Sequence, residues 1–223
     1  MVSPRSSASR SNVPAKPAAS GPGRPKDLGK RAAILDAAKH LFAREGFNGV
    51  SMDQIAAEAG VSKLTVYSHF GDKDALFAAA VQAKCEEMLP DALFDLELTG
   101  SLRDQLKAIA EAFFALVTSE EAISTHRMMM VPGNIDDKLK RTFWEAGPQR
   151  THDAFAAMLQ AQVAKGELDI PDVATASVQF FTLIKGEVHA RMTCGLCSRP
   201  GPVDARQHVD ATVDMFLRAY GRR

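Results

Sequence analysis

Between Val50 and Phe70 the chain repeats one local scheme twice: an apolar residue, a serine, then a short helical run. Ser51 can accept from the free amides of a helix start, Gln54 stands three positions on as in a capping box, and Val50 can staple to Ile55. Val61 and Ser62 repeat the device, with Val66 as the staple partner. Gly60 lies between them and supplies a turn at no steric cost. Such punctuation leaves room for two short helices meeting at a tight turn, a helix-turn-helix, whose second helix can present its N-terminal residues to a DNA major groove. Ile55, Ala56, Val61, Val66 and Phe70 form the inward side. Ser62, Lys63, Leu64, Thr65, Tyr67, Ser68 and His69 are left facing out.

The rest of the chain also reads at helical period, without an alternating strand pattern or an internal repeat. A first helix near Leu28 to Arg44 stripes Ile34, Leu35, Ala38, Leu41 and Phe42 and stops at Gly46. Asp72 caps a fourth helix that Pro90 closes. Beyond it, Ser101 opens a helix with Leu106, Ile109, Phe113 and Leu116, and Ser119 opens another that ends before Pro132. Gly147-Pro148 reads as a break and a new start, because proline is tolerated in a first turn. Asp172 begins a helix carrying Phe180, Ile184 and Val188, and a last helix carries Val209, Val213, Phe216 and Tyr220. The expected fold is all-α: a three-helix helix-turn-helix domain over 27–75 and a larger helical ligand-binding and dimerisation domain over 76–221.

Apolar residues make up 46% and charged residues 24%, an ordinary globular composition. No apolar run reaches membrane-spanning length and the start lacks a signal-peptide core, so the expectation is a cytoplasmic protein that does not engage membranes. The formal net charge of zero hides an asymmetry. Arg5, Arg10, Lys16, Arg24 and Lys26 have no carboxylate among them up to residue 26, so a basic arm precedes an acidic body. Residues 1–26 are also rich in Ser, Pro, Ala and Gly, the composition of a disordered tail.

The stretch from Ile34 to Phe77, ILDAAKHLFAREGFNGVSMDQIAAEAGVSKLTVYSHFGDKDALF, resembles the N-terminal domain of the tetracycline-repressor (TetR) family of regulators. Ala37, Phe42, Gly46, Ile55, Ala56, Gly60, Val61, Ser62, Tyr67, Phe70, Lys73 and Leu76 fall on the family pattern without a gap. The resemblance implies a DNA-binding transcription regulator in which Ser51, Tyr67, His69 and Lys73 contact phosphates. Base reading then falls to Lys63, Leu64 and Thr65: lysine can donate to guanine, and the methyl groups can pack on thymine. Many family members carry a small or polar residue where Leu64 stands, so their target sequences do not transfer. Gly23-Arg24-Pro25-Lys26 resembles the core of an AT-hook, which lays Arg24 in a minor groove; the alternative is a solvated basic tail drawn to DNA without sequence preference.

Farther on, FWEAGPQRTHDAFAAMLQAQVAKGEL resembles the AefR-like class of C-terminal domains. The resemblance implies a homodimer on an inverted-repeat operator, with repression released by a small apolar or amphipathic effector and efflux genes as one regulated class. The fourth helix, Lys73 to Met88, is the expected lever. Candidate ligand contacts are Phe113, Val117, Met128, Trp144, Phe155, Met158, Phe181 and Lys185, although aromatic and methionine side chains fill cores by default. Phe180, Ile184, Val188, Val209, Val213, Phe216 and Tyr220 are expected to form a self-complementary dimer interface, or else to pack inside one subunit.

Cys194 and Cys197 form a CxxC without the second ligand pair of a zinc site, so no metal and no cofactor are expected. The alternatives to an effector-released repressor are a ligand-independent regulator and a thiol redox sensor using that pair. No nucleophile elbow, phosphate loop, dinucleotide fingerprint or zinc-protease motif is present, so an enzyme is not expected.

Overall fold

The computed structural model describes residues 27–95, 100–133 and 135–222. The basic arm 1–26, with Arg24, lies outside the described residues. Ten α-helices follow in chain order: α1 Leu28–Gly49, α2 Met52–Glu58, α3 Lys63–Phe70, α4 Lys73–Met88, α5 Leu102–Val117, α6 Glu120–Met130, α7 Asp137–Trp144, α8 Arg150–Ala164, α9 Val173–Thr193 and α10 Pro202–Tyr220. Among the described residues there is no β-strand, only an isolated bridge between Leu168 and Gly221.

The helix starts obey the capping chemistry. Ser51 Oγ accepts from the Gln54 amide at 3.2 Å while Gln54 Oε1 accepts from the Ser51 amide at 2.7 Å. Ser62, Asp72, Ser119 and Asp172 cap α3, α4, α6 and α9 from their side chains. Ser101 forms a second capping box, with Asp104. Gly60 takes φ +64° in the turn between α2 and α3 with open space where a Cβ would stand, so the freedom of glycine is used there for conformation alone.

The junction at Gly147-Pro148 corrects the sequence reading. Instead of a break, α7 runs on through one π-helical turn, Glu145–Gln149, directly into α8. A π-turn changes hydrogen-bond register and so accommodates the proline that an unbroken α-helix would reject. Gly147 is needed for close approach: a Cβ there would sit 3.1 Å from Val81 Cγ1 and 3.2 Å from Cys85 Sγ of α4.

Two apolar cores organise the molecule. The first, the head, joins Ile34, Leu41, Phe42, Ile55, Val66 and Phe77 from α1–α4 to Ile135 and Leu139 beside and within α7. The second, the body, joins α5, α8, α9 and α10 through Leu106, Ile109, Phe155, Phe180, Val213 and Phe216. The helix α4 serves both, since Leu76, Phe77 and Ala80 enter the head core while Cys85 and Met88 pack on the body core.

Candidate nucleic-acid interface and effector cavity

The outer face of α3 is assembled as its sequence pattern requires. Val66 and Phe70 are buried in the head core, which turns Lys63, Leu64, Tyr67 and Ser68 outward. Leu64 is 78% exposed at the helix N-terminus, an apolar side chain held in water with no core to enter. Lys63 Nζ lies 2.8 Å from Asp53 Oδ2 of α2, which raises the lysine pKa through that bonded carboxylate. The lysine expected to read bases is therefore held by the other helix of the pair. Thr65 Oγ1 and Ser62 Oγ are 2.8 Å apart, and Ser68 Oγ donates to the Thr65 carbonyl at 2.8 Å.

Lys73 opens α4 with its ammonium 4.3 Å from the Phe47 ring centroid, and burial lowers its pKa. A cation partly stripped of water and, among the described residues, in no ion pair is receptive to a phosphate. His69 has a buried Nδ1 without a hydrogen-bond partner. The sequence reading missed Arg31 on α1, whose guanidinium lies 5.0 Å from the Phe70 ring centroid at the end of α3; an arginine in a helix read as scaffold carried no signal.

A cavity of about 220 Å³ lies in the seam between the two cores. Its apolar wall comes from both: Phe42, Phe77 and Phe143 of the head side face Phe113 and Val117 of the body. The polar groups divide into paired and unpaired. Lys39 Nζ meets Glu87 Oε2 at 2.8 Å, and Lys84 Nζ lies 3.7 Å from Glu121 Oε2. His126 Nδ1 lies 3.3 Å from His189 Nε2, and burial, with the charges of His189 and Lys185, pushes His126 down to about 4. His152, whose Nδ1 is buried without a partner, is lowered by burial and by Lys185 against the opposing pull of Asp153. Burial lowers Lys185 too, and among the described residues it makes no ion pair. Cys85 is pushed up to about 11 by burial, so the thiol on the cavity wall is an unreactive neutral group.

Of the expected ligand contacts, Phe113, Val117 and Lys185 line this cavity. The other five stand elsewhere. Phe155, Met158 and Phe181 are fully buried in the body core, where Phe155 meets the Phe180 and Phe181 rings at centroid distances of 4.6 and 4.9 Å. Met128 turns towards the head and its sulfur accepts from the Phe47 amide at 3.0 Å. Trp144 is 49% exposed, stacked on His152, with its indole N–H donating to Gln149 at 3.0 Å. Sequence missed Phe42, Phe77 and His152 because a helix stripe does not reveal which of its residues border an unfilled seam.

The apolar stripes of the last two helices likewise face inward. Phe180, Ile184, Val209, Val213 and Phe216 are buried within their own subunit, and Val188 and Tyr220 pack on the same core. The reason is that α9 and α10 cover α5 and α8, which consumes both stripes. What remains outside is Val178 and Leu183 on α9 and Met215 on α10, beside exposed Ala174, Ala190, Ala211 and Ala219. Cys194 is exposed just past α9 and Cys197 partly buried, both free thiols. Among the described residues no three His, Cys, Asp or Glu side chains gather as metal ligands.

Two family models match the chain. That for bacterial regulatory proteins of the tetR family covers residues 34–80, and that for the AefR-like transcriptional repressor C-terminal domain covers 104–222. The HTH-type regulator YdeS of Bacillus subtilis is 30% identical over 146 residues, 66% of this chain and 71% of that protein. The HTH-type transcriptional activator FasR of Mycolicibacterium smegmatis is 35% identical over 88 residues, so the chain spans 40% of that relative's length. Among solved structures, a TetR-family regulator from Mesorhizobium loti superposes with TM-score 0.74 at 27% identity, over 87% of this chain and 98% of that one. The flavonoid-responsive regulator FrrA does so with TM-score 0.68 at 30% identity, over 88% and 100%.

Proposed function

The chain belongs to the TetR family of transcription regulators, and from that premise we propose that it is a cytoplasmic homodimeric repressor whose grip on an inverted-repeat operator is loosened by a compact aromatic effector in the head–body seam. One observation carries this reading: the cavity wall is shared between the head core, through Phe42 of α1 and Phe77 of α4, and the body core, through Phe113 and Val117 of α5. An occupant there touches both cores at once, so it can favour one head orientation over another, which is the differential contact that any ligand-driven change requires.

In this reading Lys63, Leu64 and Thr65 meet base edges, Ser51, Ser62, Tyr67, Ser68, His69 and Lys73 hold the backbone, and Arg24 enters the minor groove or is drawn to DNA without sequence preference. The dimer forms through the outer faces of α9 and α10, with Val178, Leu183 and Met215 replacing the inward stripe that the sequence had offered. The relative FrrA is described as responsive to flavonoids, and four phenylalanines on the cavity wall are surroundings in which a flat aromatic ligand is well packed. The test is selection of duplexes from a random pool, followed by titration at physiological salt. Recovery of an inverted repeat with half-sites centred about 34 to 36 Å apart, or a multiple of it, supports the reading. Equal affinity for the selected and a scrambled duplex overturns it.

A further inference from the structure

The charges around the cavity do not balance. Glu87 is taken by Lys39 and Glu121 faces Lys84, which leaves each acid with its own base. Lys185 stands on the same wall with no carboxylate in reach among the described residues. Its neighbours are three histidines, His126, His152 and His189, whose pKa values burial lowers and the nearby lysine charge lowers further. They therefore stay neutral and offer hydrogen bonds, not countercharge. His152 keeps a buried Nδ1 with no hydrogen-bond partner among the described residues.

The position of Lys185 is enforced by the backbone. The next residue, Gly186, takes φ +54° and ψ −164° and interrupts α9. The Ile184 carbonyl is bonded instead by the His208 ring at 2.9 Å. A Cβ on Gly186 would sit 2.7 Å from that ring, so the break admits only glycine. A lysine fixed beside a helix break, partly buried and unpaired, is an unfavourable arrangement for the empty protein, because a desolvated charge needs a partner. Such a cost is offset when a ligand supplies the missing anion.

Resting on the effector-site reading above, we infer that the effector is a singly charged organic anion, a carboxylate or phenolate on a compact aromatic body, with Lys185 as its counterion and His152 as a hydrogen-bond partner. The rings of Phe42, Phe77, Phe113 and Phe143 enclose the apolar part. A volume of about 220 Å³ is small beside the roughly 300–1,000 Å³ of pockets for drug-sized ligands, which favours one or two rings.

Two probes of equal shape separate charge from fit: 2-naphthoate and the neutral 2-naphthamide, titrated calorimetrically into the full-length protein at pH 7.5. The wild type should bind the anion ~10-fold or more tightly than the amide. Lys185→Met should abolish that preference while holding the amide within ~3-fold, and Lys185→Arg should restore it. Without ligand, Lys185→Met should also melt at a higher temperature than the wild type, as removal of an unpaired charge requires. Should Lys185→Met fail to fold, Lys185→Gln takes its place.

Equal binding of the two probes, or a preference that survives in Lys185→Met, overturns the anion assignment. If the amide alone binds and releases operator, the effector site stands and only its charge selectivity falls. If neither probe binds at millimolar concentration, the anion assignment falls while the effector-site reading keeps its own test, release of the selected duplex by other compounds.

Discussion

His126 illustrates how a single side chain links the cavity to stability. Burial and two neighbouring groups, His189 and Lys185, hold it near 4, against an ordinary value of 6.5. The native state thus keeps a neutral ring where the unfolded chain would take a proton. Stability from this group is complete above about pH 6.5 and is lost as pH falls towards 4, and a shift of this size corresponds to roughly 3 kcal/mol. His152 and His189 are lowered as well and act in the same direction. Denaturant unfolding of wild type and His126→Gln between pH 7 and pH 4.5 checks this: the wild type should lose stability more steeply, and parallel curves would refute it. On the outer face of α3, the proposed base contact requires Lys63 to leave Asp53. Lys63→Ala should redistribute the preferred base pairs, with ~10-fold or greater loss on the original operator. Lys73→Ala should weaken all duplexes alike and reduce the salt slope by about one per subunit. Both are read from anisotropy titrations at several salt concentrations.

At the scale of elements, the sequence was legible wherever local chemistry decides the outcome. Ser51, Ser62, Asp72, Ser101, Ser119 and Asp172 cap the helices they were expected to open. Gly46 interrupts α1 at φ +71°, where the stripe was expected to stop. Legibility failed where tertiary contact decides. Gly147-Pro148 read as a break, yet α4 packs against it and the chain stays helical through a π-turn. The long stripe of α9 gave no hint of the interruption at Gly186, because glycine within a helix pattern is tolerated and its cause, His208, lies on another helix. The stripes of α9 and α10 announced burial correctly but not what buries them, since an apolar face reads the same whether a neighbouring helix or a second subunit covers it. Gly186→Ala should cost roughly 2 to 4 kcal/mol, combining backbone strain with overlap at the His208 ring. Chemical denaturation measures this directly, and a loss below about 0.5 kcal/mol would show the break to be incidental.

For the whole molecule, the inward stripe and the outward remnant make opposed predictions about assembly. Phe216 lies inside the body core, so Phe216→Glu should unfold the subunit, a carboxylate there being without a partner. Val178→Glu with Met215→Glu should instead yield folded monomers that no longer hold a two-site operator. Sedimentation and circular dichroism separate the two outcomes, and a folded dimer from the double variant would place the interface elsewhere. In the proposed function the cavity couples ligand to DNA through the relative placement of head and body, with α4 spanning both cores. Linkage makes such coupling reciprocal: a ligand that weakens operator binding by some factor must itself be weakened by operator by that factor. The most direct measurement is therefore calorimetric titration of an operator-releasing effector into the free dimer and into the dimer saturated with operator duplex. Two affinities are expected, whose ratio equals the loss of operator affinity on effector binding; equal affinities would contradict the coupling.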